Sequence, residues 1–214
     1  MKNKGSLIVL SGPSGCGKST ISQALMDMDS NIIESVSMTT RKIREKEIDG
    51  VDYYFKTVEE FKEEIEKGNL LEYAIYSGNY YGTPKQNVID KLNQGYDILL
   101  VIEIEGALKI KEQFPDAIFI FILPPSIKEL KKRLDSRNTE TKEQLFNRFQ
   151  TMYKEINEVK KYNYVVVNDN LDKAIKNTHA IITSSKCRVD RIEEDDLYNL
   201  EEEIHEVLVS LNEE

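Results

Sequence analysis

The run Gly12-Pro13-Ser14-Gly15-Cys16-Gly17-Lys18-Ser19 has the spacing G-x-x-x-x-G-K-[ST], and it leaves a chain few ways to fold around it. The apolar stretch Leu7 to Ser11 precedes it, and Ile21, Leu25 and Met28 follow at helical spacing, so the segment reads as strand, loop, helix. The chemistry follows from that order. Glycines let backbone N–H groups converge on phosphate oxygens, and the helix N-terminus adds positive potential. Lys18 can then reach the β- and γ-phosphates while the Ser19 hydroxyl ligates a cation. Residues Gly12, Pro13, Ser14, Gly15, Cys16, Gly17, Lys18, Ser19 and Thr20 are therefore expected to bind a nucleoside triphosphate, with ATP and Mg2+ the expected pair and Ser19 the metal anchor. The loop by itself does not separate a kinase from a motor or a switch GTPase.

Apolar runs without alternation recur at Ile98 to Ile104, Ile118 to Leu123 and Tyr164 to Val167, the pattern of strands covered on both faces. The expected fold is α/β, a three-layer parallel sheet flanked by helices of the P-loop NTPase type. From about Val36 to Pro84 the texture changes to alternation and many tyrosines, with a turn at Ser77-Gly78-Asn79, which predicts an inserted small mixed sheet. Thr57 with Glu60, Ser126 with Glu129 and Thr141 with Gln144 are capping boxes that open helices. The last two helices flank a polar break near Asn138, the pattern of a mobile lid.

The formal net charge is −9, but Ser185 to Glu214 hold eleven acids against three bases, a balance of −8, which leaves the body near neutral and able to hold a phosphate pocket. The net charge itself argues against a nucleic-acid partner. No apolar stretch approaches the roughly 20 residues that span a bilayer, and no signal segment follows Met1 to Gly5, so a cytoplasmic protein without membrane contact is expected. Cys16, Cys187, His179 and His205 are too few and too scattered for a disulfide framework or a zinc site. Leu197, Leu200, Ile204, Val207, Leu208 and Leu211 form an apolar stripe on an otherwise acidic helix, which is expected to pack on the body or on another subunit; monomer and homo-oligomer both stay open.

Arg41 and Arg44 follow small hydroxyl residues in Ser37-Met38-Thr39-Thr40-Arg41-Lys42-Ile43-Arg44 and could fork onto one phosphate. Asp49-Gly50-Val51-Asp52-Tyr53-Tyr54-Phe55, Leu71-Glu72-Tyr73 and Tyr80-Tyr81-Gly82-Thr83 come next. With Arg133-Leu134, Arg137-Asn138-Thr139 and Val167-Asn168-Asp169, the run from about Ser6 to Ile182 resembles guanylate kinase. That resemblance implies transfer of the γ-phosphate of ATP to GMP, and to dGMP, with Mg2+. It further implies that Arg41, Arg44, Tyr53 and Tyr81 hold the acceptor phosphate, that Ser37, Glu72, Thr83 and Glu103 lie at the guanine, and that Lys18, Arg133, Arg137 and Arg148 serve the transfer. The implied division is a core (1–35, 90–125, 160–184), a GMP-binding subdomain (36–89), a lid (126–159) and an acidic amphipathic C-terminal helix (185–214).

The chain departs from the family at Val101-Ile102-Glu103-Ile104-Glu105-Gly106, where the usual reading is acid, apolar, Asp, apolar, Gln, Gly. Val101 lacks a carboxylate, Glu103 is one methylene longer than the usual aspartate, and Glu105 carries charge in place of an amide. Two other functions remain: a silent interaction module, against which Lys18 and Ser19 stand, and a kinase for a phosphorylated sugar, which has no use for Ser37, Glu72 and Thr83.

Overall fold

The computed structural model describes residues 4–76, 78–135, 142–191 and 194–212. The chain runs β1 (Leu7–Ser11), α1 (Lys18–Met28), β2 (Ile32–Glu34), β3 (Met38–Thr39), β4 (Tyr54–Phe55), α2 (Val58–Glu66), β5 (Leu70–Tyr76), β6 (Asn79–Pro84) and α3 (Lys85–Asn93). It continues with β7 (Asp97–Val101), α4 (Ile104–Gln113), β8 (Ile118–Leu123), α5 (Ile127–Asp135), α6 (Lys142–Asn157), β9 (Tyr164–Val167), α7 (Leu171–Ser185) and α8 (Glu194–Asn212).

Strands β2-β7-β1-β8-β9 form one parallel sheet with β1 at its centre. Along β1 successive side chains serve opposite faces. Ile8 and Leu10 join Ile21 and Leu25 of α1 and Ala174 and Ile182 of α7 in one apolar cluster. Leu7 and Val9 join Val88 and Leu92 of α3 and Ala107 and Ile110 of α4 in the other. Both faces are dry, which is why these strands read as unbroken apolar runs, and the α/β three-layer expectation holds. Strands β4-β3-β6-β5 form the second, mixed sheet, with β3 parallel to β4 and β6 antiparallel to both β3 and β5. Helix α2 closes over it through Phe61, which is fully buried and lies 5.3 Å from the Tyr80 ring. Thr57 and Glu60 make the expected capping box, and Ser126 Oγ accepts the Glu129 N–H at 3.1 Å. Thr141 lies outside the described residues.

Two expectations are corrected and a third is narrowed. The run Ile98 to Ile104 is a strand only to Val101: Ile104 and Ala107, three apart and both buried, are the inward face of α4, so strand and helix merge in one apolar stretch. Met28 ends the stripe of α1 but is 54% exposed. Of the apolar stripe on α8, Leu200, Ile204, Val207, Leu208 and Leu211 are exposed, so these described side chains do not pack on the body, and packing on another subunit stays open.

The segment after α7 is nonetheless anchored. Asp97 is buried at the start of β7, where its Oδ1 accepts the Ser6 N–H at 2.9 Å and its Oδ2 meets Lys186 Nζ at 2.5 Å. Arg191 donates to Ser6 Oγ at 2.5 Å and to the Asp116 carbonyl at 3.2 Å.

Candidate active site

The loop after β1 turns on glycine geometry. Gly17 sits at φ 99°, where side chains are strained, and a Cβ there would come within 2.4 Å of Asn168 Nδ2. That amide instead donates to the Cys16 carbonyl at 2.9 Å, tying the loop to the residue after β9. Lys18 Nζ lies against the Gly12 carbonyl at 2.5 Å and the Pro13 carbonyl at 3.5 Å. Ser19 and Thr20 are exposed in the first turn of α1. Cys16 is fully buried, and burial pushes its thiol up, so it packs rather than reacts.

The β7–α4 junction faces this loop. Glu103, at the N-cap of α4, is exposed and raises both the Cys16 thiol and the carboxyl of Glu155. Glu155 on α6 is pushed up chiefly by burial and drawn down by Lys18. Beneath them burial also drives the Tyr162 phenol well above its ordinary value. Val101 packs against the apolar cluster of α1 and α7, so it belongs to the core and offers no ligand. Among the described residues no group of three or more His, Cys, Asp or Glu could hold a metal. Ser19 and Glu103 are hard oxygen donors, and that chemistry suits Mg2+, which keeps several waters and takes few protein ligands.

The small sheet gathers the second set. Thr39 Oγ1 donates to the Tyr80 carbonyl at 2.9 Å and accepts the Arg41 N–H at 3.2 Å, so the hydroxyl residues before Arg41 fix where its side chain starts. The guanidinium carbon of Arg41 lies 5.3 Å from the Tyr53 ring centre and 5.7 Å from that of Phe55. A hydrogen bond and ion pair with Glu47 raise the Arg41 pKa, with a further contribution from the Tyr81 hydroxyl. The Arg44 side chain is exposed, and its backbone N–H donates to Glu47 Oε2 at 2.8 Å. Ser37 is half-buried and its carbonyl accepts the Tyr54 N–H at 2.9 Å.

Glu72 and Thr83 are cross-strand partners on β5 and β6, both buried, and Thr83 Oγ1 donates to Glu72 Oε1 at 2.7 Å. Burial pushes the Glu72 carboxyl up; Thr83 and Lys109 partly offset this, and Glu105 adds to it. Glu105 is exposed and pairs with Lys109 at 3.0 Å, so the charge it brings is answered one turn along α4. Gly106, behind Glu72, leaves room for its carboxylate: a Cβ there would stand 2.6 Å from Glu72 Oε2 and displace it. Tyr81 and Thr83 are two apart on β6 and share a face, about 7 Å along the strand, a span a nucleoside monophosphate can bridge between base and phosphate.

The structure thus brings Arg41, Tyr53 and Tyr81 together, and Glu72 with Thr83. The side chains of Arg133 on α5 and Arg148 on α6, and the whole of Arg137, lie outside the described residues. Sequence reading missed Glu47, Asn168 and Glu155 as members of the site, and left Gly106 without a role; Asn168 and Gly106 stood inside quoted motifs, whereas Glu47 and Glu155 had no spacing to mark them.

The guanylate kinase family model matches residues 4–185. Guanylate kinases of Clostridium perfringens (strain SM101) and Clostridium acetobutylicum (strain ATCC 824) are 54% and 52% identical over 206 residues, 96% of this chain, and the matches cover 95% and 98% of those proteins. The crystal structure of guanylate kinase from Anaplasma phagocytophilum matches with a TM-score of 0.75 at 34% identity, over 92% of this chain and 94% of that one.

Proposed function

The chain belongs to the guanylate kinase family and is an ATP:GMP phosphotransferase, and we propose that it works between the phosphate loop and the small sheet. The loop Gly12 to Thr20 holds the phosphates of ATP. Arg41, Arg44, Tyr53 and Tyr81 hold the phosphate of GMP, and Ser37, Glu72 and Thr83 read its base. The observation that carries this division is the buried Glu72–Thr83 pair on the same face of the small sheet as Tyr81. Guanine offers adjacent N1–H and N2–H donors that one carboxylate accepts together, and adenine would set an acceptor against it. A buried polar group left unpaired by the wrong base supports discrimination of about 10⁴.

Transfer needs alignment and charge neutralisation more than a covalent helper. Lys18 moves from the loop carbonyls to the transferring phosphoryl group, and Arg133, Arg137 and Arg148, on a lid spanning 126–159, close over it and exclude water. Residues 1–35, 90–125 and 160–184 serve as the core, 36–89 as the acceptor subdomain, and 185–214 as an acidic tail. Ser19, with help from Glu103, would hold Mg2+, which would supply charge neutralisation for the transfer. The protein also accepts dGMP and acts in the cytoplasm without nucleic-acid or membrane partners; among the described residues no helix is long and apolar enough to cross a membrane.

One coupled assay tests the assignment: ADP production from ATP and Mg2+ with GMP, dGMP, AMP, UMP and ribose bisphosphate offered separately. GMP and dGMP are expected to be turned over and the others neglected. Equal rates with AMP and GMP would overturn the pocket.

A further inference from the structure

Arg41 carries five N–H donors in a planar fork; three donate to Lys42 and Glu47, and the Tyr81 hydroxyl also makes a hydrogen-bonding contact with the guanidinium. Nη1 donates to the Lys42 carbonyl at 2.8 Å and to Glu47 Oε2 at 3.0 Å, and Nη2 donates to Glu47 Oε1 at 2.7 Å. The carboxylate therefore grips the end of the guanidinium, the edge made by its two Nη atoms. The side edge, made by Nε–H and the second Nη2–H, carries none of these three bonds and has the two-donor spacing that matches a pair of phosphate oxygens. Glu47 is itself fixed, since its Oε2 also accepts the Arg44 N–H at 2.8 Å. The Tyr53 and Phe55 rings beside the guanidinium help hold its plane.

We propose that Glu47 is a positioning residue for the acceptor phosphate: it holds Arg41 by the end edge and so presents the side edge, already oriented, to GMP. The inference rests on Arg41 being a phosphate contact. An arginine free to rotate would lose several rotamers on each binding event; one clamped beforehand loses few. Only a carboxylate can do this, because it supplies two acceptors at the fork spacing, whereas an amide would turn one N–H toward another.

The test is steady-state kinetics of Glu47→Gln and Arg41→Lys, with guanosine, which has base and sugar but no phosphate, as a competitive inhibitor. Glu47→Gln is expected to raise the KM for GMP about tenfold, with the KM for ATP and the inhibition constant of guanosine changed less than about twofold. If Arg41→Lys leaves the KM for GMP unchanged, the phosphate-site assignment fails and the inference falls with it. If Arg41→Lys raises it and Glu47→Gln does not, Glu47 positions nothing. An equal rise for GMP and guanosine would mean that the small sheet had loosened, which also overturns the proposal.

Discussion

Glu72 is 7% exposed, and burial raises its carboxyl above the ordinary range. Between its unfolded and folded pKa the native state binds the extra proton, so this group's contribution to stability falls as pH rises through that window. The binding role proposed for it has the opposite preference, since only the ionised form would accept both guanine donors. The KM for GMP is therefore expected to rise on acidification at a higher pH than an ordinary carboxylate would give. Glu72→Gln should remove that acid limb, lower kcat/KM for GMP about 10²-fold, spare the KM for ATP and raise the melting temperature; a pH series read beside a thermal scan checks all four. Gly106 supplies a second test. Alanine in a helix is favoured over glycine by about 1 kcal/mol, yet the new Cβ would push the Glu72 carboxylate aside. Gly106→Ala is expected to fold stably while raising the KM for GMP about tenfold or more, more than the helix gain could mask. The Glu72–Thr83 pair proposed to face guanine was legible only through the family's motif. Glu47 was not, because a glutamate among charged neighbours looks solvated until the chain folds it onto Arg41.

Among elements, β1, the phosphate loop and α1 were plain in the sequence because three local requirements coincide there: an apolar run, glycines at tight positions, and a helical stripe. The second sheet was legible as texture, since alternation survives where one face is wet. The end of β7 was not, because strand and helix both turn apolar residues inward across Ile98 to Ala107, and only the turn at Glu103 separates them. That turn sets Glu103 at the N-cap of α4, the position on which its proposed role toward Mg2+ rests. Glu103→Ala is expected to weaken Mg2+ retention by the enzyme with ADP bound by about tenfold, since one carboxylate contact to the ion is lost. Calorimetric Mg2+ titration reads this without turnover, and an unchanged affinity would leave Ser19 as the protein anchor proposed for the ion.

At the scale of the molecule, the parallel core could be expected from its three other apolar runs, but the order β2-β7-β1-β8-β9 could not, because pairing is set by long-range packing. Nor was the clamp that joins the chain after α7 to β7 visible, since Asp97, Lys186 and Arg191 are far apart in sequence. Asp97→Ala strands Lys186 and the Ser6 N–H; it is expected to cost about 3 kcal/mol and lower the melting temperature on the order of 5–10 °C, with the KM for GMP unaltered, as thermal denaturation and kinetics together would reveal. The first turn of α4 has a wider role. Its N-cap, Glu103, raises the pKa of Cys16 in the phosphate loop and of Glu155, and Gly106, three residues on, backs the Glu72 carboxylate proposed to meet guanine. A single turn of helix thus belongs to both halves of the site, so the two nucleotides should report on each other. Thermodynamic linkage requires the effect to be reciprocal: whatever factor a non-hydrolysable ATP analogue applies to the affinity for GMP, GMP must apply to the analogue. Gly106→Ala, which disturbs the shared turn, is expected to change that factor as well as the affinity itself.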